Sequence, residues 1–211
     1  FNSRFLIISQ NDNAKTTCLY HSNPPIGSLM VIDLISLNEL PKTLKMIDFP
    51  EFLPFHPLGL FIQGEILYVI NKVFERKDER IEIFQIIQNS SNDLVLQYLR
   101  SLSFGAEYLG IFNDLVALSE NRVIITGSFP EPTVSKSSFL RFITPLLMNK
   151  FLRKSSFVYD CDISHSTPNC TILDSSDSEM NNGIAFDGVS RILIANTMER
   201  RVKVYELNNT K

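Results

Sequence analysis

Three stretches of the chain share one pattern: an apolar run, a short polar turn and a second apolar run. The first spans Pro57–Asn71, the second Asn113–Gly127 and the third Asn182–Asn196. Each reads as two short strands joined by a tight turn, because apolar runs of this length bounded by polar and glycine-containing breaks are strand signals. A hairpin that recurs along a chain is how β-propeller blades declare themselves. An amphipathic strand follows each hairpin: Arg80–Ile86 and Arg201–Leu207 alternate strictly, as half-buried strands do, and Ser156–Asp160 holds the matching place after the second copy.

Two earlier apolar runs, Phe5–Ser9 and Ser28–Asp33, read as a degenerate first copy. The expected fold class is therefore all-β, a propeller of six-bladed type with about four blades present. The blade-like units are expected near 5–50, 56–100, 110–172 and 180–208. The openings at Leu58, Asn113 and Asn182 are 55 and 69 residues apart, and an insertion accounts for the longer gap. Residues 134–155 carry Phe139, Phe142, Leu146, Leu147 and Phe151 between Lys136, Arg141, Lys150 and Arg153, which predicts a short helix that Pro145 kinks or splits. Such a stripe packs over the propeller face in one reading and touches a lipid surface or an apolar substrate in the other. Four blades are few for a closed ring, and the chain opens on Phe1 rather than Met, so a piece cut from a longer protein, or a truncated gene product, is expected.

Composition narrows the function classes. The net charge is −3 and no basic block occurs, which argues against nucleic-acid binding. No apolar run approaches the length of a membrane-spanning helix. Three sequons for N-linked glycosylation open at Asn89, Asn169 and Asn208, pointing to an extracellular or secretory setting if used. Of the three cysteines, Cys161 and Cys170 bracket a polar loop and are placed to close a small disulfide in an oxidising compartment. Two unrelated thiols are the alternative. Cys18 is left over, and no CxxC pair suggests zinc.

The residue that opens each hairpin is expected to face the central channel of a propeller. In two copies it is Asn, an oxygen donor suited to a hard cation; the same residues also open ordinary turns. Around these positions the chain resembles the paraoxonase/arylesterase family, six-bladed calcium propellers. Phe55-His-Pro-Leu-Gly59 is similar to that family's Phe-Asn-Pro-His-Gly segment, Asn113-Asp114 to its Asn-Asp calcium motif, and Asn182-Gly183-Ile to its Asn-Gly-Ile segment. The resemblance runs in order over nearly all of the chain. It implies two calcium ions in the complete fold: Asn113 and Asn182 as side-chain ligands of the catalytic ion, and Asp114 with the backbone carbonyl of Leu60 at the structural ion.

The resemblance also exposes departures. The family's histidine base falls on Leu58, its partner histidine on Lys72, and its later Asp-His pair on Phe129-Pro130. Leucine accepts no proton. His56, two residues upstream, shares a face with position 58 if the segment is extended, and is a candidate substitute base; a structural histidine is the plainer reading. The implied activity is calcium-dependent hydrolysis of a small hydrophobic ester or lactone. Two alternatives stand beside it: a catalytically impaired propeller that binds calcium or a partner, and a relative of the gluconolactonase-like or strictosidine-synthase-like propellers.

Overall fold

The computed structural model describes residues 4–10, 27–36, 40–89, 93–108, 111–127, 156–174 and 180–207. These residues form four sheets, and among them the only helical elements are two single 3-10 turns, Phe74–Arg76 and Ala106–Tyr108. The insertion at 134–155, Phe129, Asn208, His21 and Cys18 lie outside the described residues.

The first sheet pairs β1 (Phe5–Gln10), β2 (Ser28–Asp33) and β3 (Lys42–Thr43) in that order. The second sheet runs β4 (Lys45–Ile47), β8 (Leu94–Gly105), β7 (Asp78–Gln88), β6 (Ile66–Val73) and β5 (Pro57–Gln63). β4 lies parallel to β8, so the chain leaves the first sheet after residue 43 and borders the second from residue 45 onward. The third sheet is β9 (Phe112–Ser119), β10 (Arg122–Gly127), β11 (Val158–Asp162) and β12 (Asn169–Asp174); the fourth is β13 (Asn181–Phe186), β14 (Arg191–Asn196) and β15 (Arg201–Glu206).

All three sequence repeats are hairpins, β5–β6, β9–β10 and β13–β14, each antiparallel. Gly64 sits at φ 61° in the first turn, a left-handed conformation that glycine adopts without a Cβ clash. In the third, the Asp187 carboxylate accepts the amides of Val189, Ser190 and Arg191 and so fixes the turn.

The sheets are stacked in chain order by three apolar clusters. Ile7, Leu29 and Leu44 meet Phe55, Val69, Phe84 and Leu96 between the first and second sheets. Ile70, Ile81 and Leu102 meet Leu115, Val123 and Tyr159 between the second and third. Val116, Ile124 and Val158 meet Ile192 and Ile194 between the third and fourth. Successive residues of β6 and β10 thus enter opposite clusters, which explains their unbroken apolar runs: a strand covered on both faces shows no alternation. β14, covered on one face, alternates exposed and buried along its length. The first strands of neighbouring sheets also touch, β1 on β5, β5 on β9 and β9 on β13. Among the described residues the fourth sheet does not close back on the first.

One strand departs from expectation. The alternation of Arg80–Ile86 predicts a solvent-facing polar side, yet both faces of β7 are covered and Glu82 is fully buried. Its polar face lies under the segment that enters β5. There Asn71 donates to Glu82 Oε1 at 2.9 Å and to the Pro54 carbonyl at 3.0 Å, and accepts the His56 amide at 2.7 Å. Arg80 completes the network through Asp78 at 2.6 Å and Ser101 at 2.8 Å. Local alternation registers that one side is polar; it cannot register that a later-packed segment covers that side.

Cys161 and Cys170 are directly opposite across β11 and β12 and form a disulfide, with Cα atoms 4.0 Å apart. The sequence left this pairing open.

Candidate cation-binding cleft

Three first strands, β5, β9 and β13, begin at the same end of the stack. Their starting residues line a cleft of about 330 Å³: Leu58, Gly59 and Leu60 from β5, Asn113 and Asp114 from β9, and Asn182 from β13. The positions of this chain that the resemblance assigns to calcium, Leu60, Asn113, Asp114 and Asn182, therefore line one cavity, although the three segments are far apart in sequence.

The approach of β5 to β9 depends on a missing side chain. A Cβ on Gly59 would lie 2.5 Å from the Asn113 carbonyl oxygen and 2.6 Å from Asp114 Oδ1, closer than such atoms approach. Glycine at this bulged position lets the two backbones meet. On the third side, Asn113 Nδ2 donates to Asn182 Oδ1 at 2.6 Å, joining the second and third repeats directly. Asn182 Nδ2 in turn donates to Thr197 Oγ1 at 3.2 Å.

Asp114 is the one carboxylate among the described lining residues. Its Oδ1 accepts the Leu115 amide at 2.9 Å and its Oδ2 the Ile184 amide at 3.2 Å. Burial raises its pKa from 3.8 to about 6, and the two amides only partly offset that. Asp114 forms no ion pair among the described residues, so its negative charge has no positive counterpart within the site.

Several supporting groups have no motif in the sequence. The Thr126 hydroxyl lies 2.5 Å from the Asn182 carbonyl and 3.2 Å from that of Asp114. Ser9 Oγ donates to the Leu58 carbonyl at 2.7 Å, tying the first sheet to the lip of the cleft. Ser156 Oγ bonds the Gly127 carbonyl and receives the Asn181 amide at 2.7 Å. A serine or threonine at a strand end is too common to single out from sequence.

The remaining candidates lie elsewhere. His56 is fully buried outside the cleft lining, with Nε2 2.9 Å from Glu75 Oε1. Lys72 faces Glu79 across the β6–β7 ladder and is also absent from the lining; burial lowers its pKa, and Glu79 opposes that shift. Leu58, at the family's base position, does line the cleft and packs on the central apolar cluster. His165 sits in the exposed turn between β11 and β12. The sequon residue Asn169 opens β12, and Asn89 follows β7, where its Oδ1 accepts the Asp93 amide at 2.9 Å.

The donor set suits a hard cation: one carboxylate, two side-chain amides and backbone carbonyls are oxygen ligands of the kind calcium takes. It does not suit a transition metal, since no group of three or more His, Cys, Asp or Glu converges among the described residues. Compared with known proteins, the chain matches no family model and no curated sequence.

Proposed function

We propose that this protein is a calcium-dependent hydrolase of small hydrophobic esters or lactones, of the paraoxonase type. In this reading the four sheets are consecutive blades of a propeller of six-bladed type. One observation carries it: Asn113, Asp114, Asn182 and the 58–60 backbone converge from three sheets on one cleft, around a buried carboxylate that has no cationic partner among the described residues.

Asn113 and Asn182 would hold one ion through their amide oxygens, with Asp114 and the Leu60 carbonyl serving the second, inner ion of the family scheme. When bound, calcium would supply positive charge at the cleft, the chemistry by which a metal assists attack of water on an ester or lactone carbonyl. The chain's own contributions are simpler. Leu58 gives the cleft an apolar wall on which a hydrophobic acyl or aryl group can rest. Asp114, Thr126 and the Asn113–Asn182 pair hold the strand ends in register. None of the described lining residues is a histidine, so among them no imidazole takes up the proton of an attacking water, and turnover is expected to be slow.

Leu58 also supports a second reading, a calcium-stabilised scaffold that binds a ligand in the cleft without turning it over. A gluconolactonase-like or strictosidine-synthase-like activity is compatible with the same Asn-Asp and Asn-Gly openings. Calcium titration by calorimetry, with Asn113→Ala and Asn182→Ala beside the native chain, tests the shared premise. Binding that both substitutions weaken is expected. Hydrolysis of phenyl acetate or a medium-chain lactone, abolished by a chelator, then separates enzyme from scaffold. Calcium binding without turnover selects the scaffold, and absence of calcium binding defeats both.

A further inference from the structure

The sequon at Asn169 has a setting that the cleft does not explain. It is the one sequon whose three residues are all described, and it occupies the first turn-proximal positions of β12. β12 is the edge strand of the third sheet. Asn169 and Thr171 are both exposed, and they line a second, open cleft of about 490 Å³ together with Arg122, Asp160, Asp162 and Ser164. Arg122 grips Asp160 with two bonds, at 3.0 and 2.7 Å, and Asp162 accepts the Ser164 amide at 2.9 Å. These fixed donors and acceptors face open space beside the Asn169 side chain.

The middle residue of the sequon is Cys170, joined to Cys161. Disulfides form in the compartment where N-linked glycans are added. The same strand also carries a liability: Ile172 is 55% exposed and Leu173 40% exposed along an edge with no partner strand among the described residues. An exposed apolar edge strand recruits other strands unless something blunts it.

We propose that Asn169 carries an N-linked glycan, that its first N-acetylglucosamine lies in the polar cleft against Arg122, Asp160 and Asp162, and that the glycan guards the β12 edge. In the transfer, Asn169 Nδ2 bonds to the anomeric carbon of the first sugar of a lipid-pyrophosphate-linked oligosaccharide. The bond from that carbon to the pyrophosphate oxygen breaks, the lipid pyrophosphate leaves, and the amide gives one proton to the transferase; no oxidation occurs. Asn169 is paired with Asp162, and Cys170 with Cys161, in the finished ladder. The transfer therefore precedes strand closure, while the segment is still extended and free. This inference stands apart from the calcium reading, since it uses neither the cleft nor its ligands.

The test is to direct the full chain through the secretory pathway of a eukaryotic cell and release its glycans enzymatically in heavy-oxygen water. Conversion of Asn169 to heavy-labelled Asp, seen by peptide mass, is expected in native protein and in Thr171→Ser, and is lost in Thr171→Ala. An unmodified Asn169 in secreted protein that carries the Cys161–Cys170 disulfide overturns the proposal. For the guarding role, Asn169→Gln and Thr171→Ala are expected to associate measurably more than native protein by light scattering. If both remain as monomeric as glycosylated Thr171→Ser, that role is overturned.

Discussion

Asp114 concentrates the electrostatics of the cleft in one residue. Its carboxyl is raised from 3.8 to about 6 by burial, so the folded chain holds a proton that the unfolded chain releases. The stability present below 3.8 is therefore lost as pH rises through about 6, by an amount on the order of 3 kcal/mol in the ion-free protein. Asp114→Asn is expected to remove this slope. The check is the difference between the two proteins' denaturant midpoints across pH 4 to 7, which cancels the opposite slopes from Asp33, Asp162 and Asp187, whose values are lowered. Equal slopes in the two proteins would mean that Asp114 is better solvated than its surroundings indicate. Saturating calcium, if it binds here, is expected to erase the native slope as well, because it favours the ionised carboxylate. None of this was legible from Asn113-Asp114 as a dipeptide: the motif named the residue, and only its burial beside Gly59 and Ile184 set its pKa.

At the scale of elements, one buried side chain grips two backbone groups of the segment entering β5. Asn71 reaches the His56 amide, the Pro54 carbonyl and Glu82. Asn71→Ala is expected to cost about 3 kcal/mol, since it strands three buried polar groups at once. The segment continues directly into Leu58–Leu60, so the same substitution is expected to weaken any cation binding in the cleft. Thermal unfolding and a calcium titration measure the two effects. A loss of stability with unchanged affinity would uncouple the segment from the cleft. The hairpin β5–β6 itself was readable from its turn and its apolar runs. The burial of Glu82 was not, because strand alternation looks the same whether its polar side meets water or another segment's backbone.

The described sheets form a stack whose end sheets differ from its inner ones. Its inner sheets are covered on both faces, whereas the outward faces of the first and fourth sheets carry exposed apolar side chains: Leu6 and Ile8 on one, Leu193, Val202 and Val204 on the other. Apolar faces of this kind favour association. Val202→Lys with Val204→Lys is expected to lower self-association while leaving the melting temperature within a degree or two, since both side chains are 58% exposed. Sedimentation and thermal unfolding together check this. A large fall in melting temperature would show that this face is covered in the folded protein. No helix of the described residues is long and apolar enough to cross a membrane.

The sequence by itself determined the strands and hairpins: residues 57–71, 113–127 and 182–196 carry their pairing in a local pattern of apolar runs and polar turns, which neighbours along the chain enforce. It also named Asn113 and Asn182 as candidates through the repeat, and Asp114 through the family resemblance. Tertiary structure alone decided that these residues meet, that Cys161 pairs with Cys170, that β4 joins the second sheet, that His56 turns to Glu75, and that Glu82 is sealed from water. Those outcomes depend on which sheet face packs on which. Contacts between residues 55 and 69 positions apart leave no periodic trace in the chain that makes them.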